Sequence, residues 1–336
     1  MSEIDPQDEF FHAVGDDGAW SESYYFNVID PTTGIGAFSR MGFRPRDGWA
    51  DALHAVYLPD GEVAFTYGRR TDITPSVIDA MGDADPQVAN LRFGRGEPFG
   101  SWTLSYRGDA SVMTDPLVML LATRDRPDGW SVTEHLEMDV EFDMLSTPHY
   151  ARGGSQGHFE QTCRGRGTIR LGDRTWSLDG FGVRDKSWGP RTWQASSGSA
   201  AKAANPASNT QGCFLNWFSM NFGADLALGG ACGRTADGTM RGKGWIWRDG
   251  ETLELRDVEM TTVFSPENPL VHETVRLTGT DEQGCSISIE GEVLTICPTK
   301  IPRRDGVTFV NEGLARFDLD GRPGFGIAEH WHAVAR

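Results

Sequence analysis

Two short stretches gather side chains able to move protons. In GHFEQTCRGRGTIRL (157–171), His158 and Glu160 stand two residues apart. On a strand that spacing points both to one face, with Phe159 and Gln161 on the other. An imidazole and a carboxylate so placed share a proton, as an acid–base pair or as an ion pair at a strand edge. In GFGVRDKSWGPRTW (180–193), Gly182, Arg184, Lys186 and Trp188 alternate with Phe181, Val183, Asp185 and Ser187. Asp185 therefore shares a face with apolar neighbours, where desolvation favours its neutral form and suits it to general acid catalysis. Arg184, Lys186 and Arg191 act in the opposite sense on that carboxyl, and they are also candidates to hold a developing oxyanion. The same charges serve equally as a salt bridge that pins a corner, where Gly189-Pro190 turns the chain out of its ladder.

Other residues suit a binding wall. Trp188 and Trp193, with Arg191 between them, can line an aromatic pocket through dispersion and cation–π contact. In WSESYYFNVID (20–30), Glu22, Tyr24 and Phe26 share one face and Ser23, Tyr25 and Asn27 the other, so Tyr24 or Tyr25 is placed to orient a substrate oxygen. Asn216 and Trp217 in FLNWFSMNFG (214–223) line a cavity or fill a core. Near the C-terminus His330 and His332 share a face, with Glu329 and Trp331 opposite. No third and fourth ligand at a recognisable spacing accompanies that His-x-His, so no metal site is expected.

These side chains need a scaffold, and the chain reads as all-β. Short runs of alternating apolar and polar residues are broken by Gly, Asp and Asn, as in SYYFNVIDPTTGIGAFSRMGF and ARFDLDGRPGFGIAEHWHAV, a spacing that describes antiparallel strands. Hairpin turns are predicted at 60–62, 248–250, 281–284 and 319–322. The only helical pattern is a short one within 75–93. A loop-like stretch at 146–157, STPHYARGGSQG, predicts a junction between two β halves, 1–150 and 151–336, with the charged motif in the second. A further small-residue loop at 194–212 reads as a lid or as a solvated excursion. Barrels or sandwiches are the natural arrangement for so many strands, because closure removes exposed edges.

With 48 acidic against 31 basic residues, a formal charge of -17, phosphate-backbone binding and docking on anionic membranes are disfavoured. The longest apolar runs fall short of a bilayer span, and the acidic N-terminus lacks signal-peptide features, so a cytoplasmic location is expected. The five cysteines, at 163, 213, 232, 285 and 297, read as reduced, buried thiols. No P-loop, Rossmann fingerprint, Gly-x-Ser-x-Gly elbow or His-Glu-x-x-His occurs. What remains is cofactor-free acid–base chemistry, or ligand binding, and a homodimer would be unremarkable.

HFEQ (158–161) followed by GFGVRDKSWGPRTW resembles a bacterial family of two lipocalin-like β-barrel domains, with a signature HxEQ and then G-x-RD-x-SWGPR-x-W; SESYYFNVIDPTTGIGAFSRMGF looks like its N-terminal domain. More distantly, Asp185 to Gly189 is similar to the Asp-His-x-Trp-Gly stretch of carotenoid 1,2-hydratases and lipocalin-like cyclases, with Lys186 where that pattern has His. The resemblance implies two lipocalin-like antiparallel domains, a large apolar cavity and a role for Asp185. A cofactor-independent lyase is the expected activity: a hydratase, dehydratase or elimination enzyme, a carbon–carbon or formaldehyde lyase included. Its expected substrate is terpenoid, steroid-like or a lignin-derived aromatic, with Asp185, His158 and Glu160 moving protons and Trp188, Trp193 and Trp217 walling the cavity. A small-molecule carrier, or an isomerase or cyclase, is the alternative, since one fold hosts all of these.

Overall fold

A computed structural model describes residues 5–153, 156–190, 212–303 and 305–335. They fold as an almost entirely antiparallel β structure in two units, Met1–Val56 with Ala64–Val112 and Val132–Ala204, and Tyr57–Val63 with Met113–Ser131 and Asn205–Arg336.

The first unit is built on β1 (Trp20–Ile29), β2 (Gly36–Arg44), β3 (Trp49–Tyr57), β4 (Val63–Arg70), β5 (Gln87–Val88), β6 (Leu91–Arg95), β7 (Ser101–Met113), β8 (Val132–Met144), β9 (His149–Gly153), β10 (Gln156–Leu171) and β11 (Arg174–Pro190). Their hydrogen-bonded order is β4-β3-β2-β1-β11-β10-β8-β7-β6-β5, with β9 on β10 and a further pairing of β4 with β7. That last pairing joins eight of the strands into a continuous ring. The concave face is aromatic: Phe26 packs against Phe93, Trp102 and Phe142 at ring-centroid distances of 5.1, 5.6 and 5.1 Å. The helical pattern at 75–93 shrinks to α1 (Pro75–Met81), capped by Thr74 and ended at Gly82, whose φ of 48° an L side chain rarely adopts.

This order corrects the junction expected at 150/151. β10 and β11 pair with each other over residues 157–188, and β11 then pairs with β1, so the charged motif belongs to the first unit. Local alternation tells which way a side chain points; it carries no signal for a partner strand more than 150 residues away.

The second unit closes β12 (Gly212–Asn221), β13 (Leu226–Arg234), β14 (Met240–Arg248), β15 (Glu251–Phe264), β16 (His272–Asp281), β17 (Ser286–Arg303), β18 (Gly306–Leu319) and β19 (Arg322–Ala335) into an eight-stranded barrel of lipocalin-like type. Two of the expected turns are two-residue loops with positive φ at both positions, Asp249-Gly250 (51° and 90°) and Asp320-Gly321 (53° and 82°). That backbone matches the twist of the flanking strands, and Asp-Gly is the pair that tolerates it. Phe218, Met220, Leu228, Ile246, Leu255, Leu277, Ile289 and Phe317 fill the interior.

Among the described cysteines, Cys163, Cys232 and Cys297 are buried, while Cys213 is half-buried and Cys285 exposed, so the expectation of five buried thiols holds for three. Among the described residues no helix is long and apolar enough to cross a membrane.

Candidate active site

The segment Val183–Pro190 of β11 lies between β1 and β10, and its register fixes which groups meet. Asp185 stands opposite Tyr25 on β1 and Glu160 on β10; Ser187 stands opposite Ser23 and His158. Cross-strand partners share a face. On that face His158 lies between the two carboxylates, its Nδ1 3.2 Å from Asp185 Oδ2 and its Nε2 3.1 Å from Glu160 Oε1. Glu160 is the buried end of the row, with a side chain 3% exposed, against 16% for Asp185 and 33% for His158. Ser23 and Ser187 hydroxyls meet at 2.8 Å beside it, and Tyr25 stacks on Phe38. Gly182 lets the ladder close here, because a Cβ at that position would run into the Asn27 carbonyl oxygen.

An imidazole with a carboxylate at each nitrogen carries two protons, or one proton with the second on a carboxyl; the two arrangements have the same charge. A proton can therefore be taken up at one end of the row and released at the other. These three residues are also a potential metal donor set, with one atom from each lying within 4.8 Å of the others. Both ring nitrogens already face carboxylates at hydrogen-bonding distance, so coordination requires the imidazole to turn. The geometry fits proton sharing directly.

The other face of the same strand has separate chemistry. Arg184 and Lys186, 1% and 0% exposed, point away from Asp185 into the aromatic interior. Arg184 donates to both oxygens of Glu9 at 2.6 and 2.5 Å and lies over the Phe159 and Trp102 rings. Lys186 Nζ donates to Glu22 Oε1 at 2.5 Å and to the Phe10 carbonyl at 2.9 Å. His12 bonds Glu22 through its backbone N–H and its ring, and stacks on Trp188 at 4.0 Å. Burial acts to raise the Glu9 and Glu22 carboxyls, but the charges and hydrogen bonds of Arg184 and Lys186 outweigh it and hold both below the usual carboxylate value. Burial lowers the Lys186 ammonium, with Glu22 opposing. Burial and the Glu22 charge push the Tyr24 phenol well up, so it stays protonated.

Thus Asp185, His158, Glu160 and Tyr25 come together, whereas Arg184, Lys186, Trp188 and Tyr24 form a separate buried group. Arg184 and Lys186 are corrected from partners of Asp185 to partners of Glu9 and Glu22. Asn216 and Trp217 belong to the second unit, on opposite faces of β12: Asn216 points inward with Phe218, and Trp217 stands opposite Glu329. Arg191, Trp193 and residues 194–211 lie outside the described residues. Glu9, His12 and Glu22 were missed as site members; Glu22 carried the one available signal, an acid in phase with Tyr24 and Phe26.

A family model matches residues 5–334. The chain belongs to the DUF7064 family. That family is described as a domain of unknown function. No curated protein matches this DUF7064 chain. Its fold is shared by a protein of Nitrosomonas europaea assigned as AttH, at 16% identity and TM-score 0.62, covering 99% of this chain and 97% of the other. Kievitone hydratase from Nectria haematococca aligns at 10% identity and TM-score 0.54, over 97% and 93% of the two chains. CghA, determined with Sch210972, aligns at 10% identity and TM-score 0.50, over 95% and 89%. At these identities the likeness is one of fold.

Proposed function

We propose that this DUF7064 protein is a cofactor-independent lyase of the hydratase or dehydratase type, acting on a hydrophobic terpenoid, steroid-like or lignin-derived aromatic alcohol. The observation that carries the reading is His158 bridging Asp185 and Glu160 on one partly exposed face. Dehydration breaks a C–O and a C–H bond; one proton goes to the departing hydroxyl and one is taken from carbon, so the catalyst ends as it began. A carboxylate–imidazole–carboxylate row meets that balance, giving a proton at one group and recovering one through its neighbour. Asp185, more exposed than Glu160, is the group that meets substrate. His158 conducts the proton, Glu160 holds the buried negative charge, and Tyr25, cross-strand from Asp185, orients the substrate oxygen. The shared fold of a protein named as a hydratase supports the reaction class by analogy of fold.

The test is turnover against retention. Purified protein is incubated with a pool of terpenoid, steroid and arylpropane alcohols, and each compound is followed by mass. Loss or gain of 18 mass units in one of them, at a rate proportional to protein, is the expected result. Unchanged compounds that co-elute with the protein would contradict it and support a carrier; a product of unchanged mass would support an isomerase or cyclase.

A further inference from the structure

A second polar cluster lies inside the second unit, in a barrel that the Asp185 row does not use. His330 on β19 is flanked across the ladder by Asn216 on β12 and Asn311 on β18, and all three are fully buried. They continue the inward rows of Phe218, Ala328 and Ala315, so the barrel core turns polar at this end. His272, at the start of β16, stacks on His330 with ring centroids 3.9 Å apart, and His332 follows two residues along β19. A Cβ on Gly313 would strike the His272 ring, so the missing side chain makes room for the stack. The Phe264 edge packs on both His330 and His332, at 5.7 and 5.5 Å.

The hydrogen bonds of this cluster do not close. His272 Nε2 lies 2.8 Å from the Ala328 carbonyl oxygen; a carbonyl only accepts, so Nε2 carries the proton and Nδ1 presents a bare lone pair. Asn311 Nδ2 donates to the Leu270 carbonyl at 2.7 Å, and Asn216 Nδ2 to Cys213 Sγ at 3.6 Å, which commits the Oδ1 atom of each amide to accepting. His330 Nε2 meets the Thr262 hydroxyl at 2.8 Å. His272 Nδ1, Asn216 Oδ1 and Asn311 Oδ1, acceptors all three, are buried and have no hydrogen-bond partner among the described residues. Buried acceptors left unpaired are costly, so a hydrogen-bond donor must reach this group. Burial holds His272 down to about 3 and His332 down to about 4, which leaves neutral rings. Neutral acceptors beside an aromatic wall match a neutral ligand with a hydroxyl.

We propose that this end of the second barrel binds a neutral hydroxylic molecule, an alcohol or a phenol, whose one O–H is donated to one acceptor of the group His272 Nδ1, Asn216 Oδ1 and Asn311 Oδ1 and whose apolar part lies against Phe264. The site is separate from the Asp185 row and does not depend on the activity proposed for it.

Full-length protein labelled with 15N in its histidine rings is titrated with phenol, cyclohexanol and toluene, and read by calorimetry and by long-range proton–nitrogen spectra. The expected result is one-to-one binding of phenol, cyclohexanol or both, with a shift of the His272 Nδ1 resonance and no such shift with toluene. Which of the two binds tells an aromatic from an aliphatic alcohol. Asn311→Leu should weaken binding at least tenfold; if that variant does not fold, the parent spectra alone decide. Toluene acting as well as phenol would overturn the proposal in favour of a plain apolar cavity. Ring resonances that respond to no probe, and that show exchange only with bound water, would overturn it in favour of permanent internal hydration.

Discussion

Replacing Glu9 by Gln should destabilise the first unit far more than loss of a surface charge pair. The substitution keeps the shape of the side chain but leaves the Arg184 guanidinium, 1% exposed, with no counter-charge among Phe159, Trp102 and Phe26. It weakens two charge-assisted bonds at 2.6 and 2.5 Å and, through Oε1, disturbs a third from the Phe99 N–H at 2.6 Å. Breaking a buried pair by removing one partner costs about 3–5 kcal/mol, because the remaining ion stays desolvated. For a unit of this size each kcal/mol moves the melting temperature by roughly 2–4 °C, so a drop on the order of 10 °C is expected. Calorimetry of the parent, Glu9→Gln, Arg184→Met and the double variant closes the cycle. The double variant should recover part of the loss, since neither charge is then stranded. A Glu9→Gln loss below about 1 kcal/mol, the range of exposed pairs, would refute the argument from burial. Both Glu9 and Glu22 are held below the usual carboxylate value, so their contribution is complete above an unfolded value near 4.5 and is lost as pH falls through the folded value.

The same linkage acts earlier on the histidines. Burial lowers His54 from 6.5 to about 4, so its unfolded ring takes a proton that the folded ring refuses, and folding weakens as pH falls from about 6.5 to about 4. The loss from this residue reaches roughly 3 kcal/mol, and urea melts of His54→Gln at a series of pH values should show a shallower slope in that window; an unchanged slope contradicts it. Thiol reagents give a third check. Burial raises Cys213 to about 11 and Cys232 to about 12, and puts Cys163 and Cys297 higher still, so only the exposed Cys285 should react promptly in the native protein, and all five after denaturation.

Alternation in the sequence correctly divided GVRDKSW into two faces, and it put His158 and Glu160 together, because a strand's period of two is a local property. Asp-Gly turns were legible for the same reason: the dipeptide itself tolerates the required φ values. Partners that folding brings from far along the chain were not legible. Glu9 reaches Arg184 across 175 residues and Glu22 reaches Lys186 across 164, and nothing near either cation announces its anion. The expectation that Arg184 and Lys186 tune Asp185 came from adjacency in sequence, yet adjacent residues on a strand point apart. The unit boundary was misplaced for a related reason, since STPHYARGGSQG reads locally as a junction while β10 and β11, which follow it, are claimed by the ladder to β1 and β8.

The proton-transfer role of Asp185 is tested most directly by solvent-label exchange. Parent and Asp185→Asn proteins, both shown to be folded by circular dichroism, are incubated in deuterated water with the substrate identified from the alcohol pool, and deuterium entering the reacting carbon is measured. The account predicts incorporation at one carbon by the parent and a rate at least about 100-fold lower for Asp185→Asn, the usual contribution of a positioned acid or base. Equal incorporation by the two proteins would show that the bridged row of Asp185, His158 and Glu160 is a structural tie, and the central claim would fall.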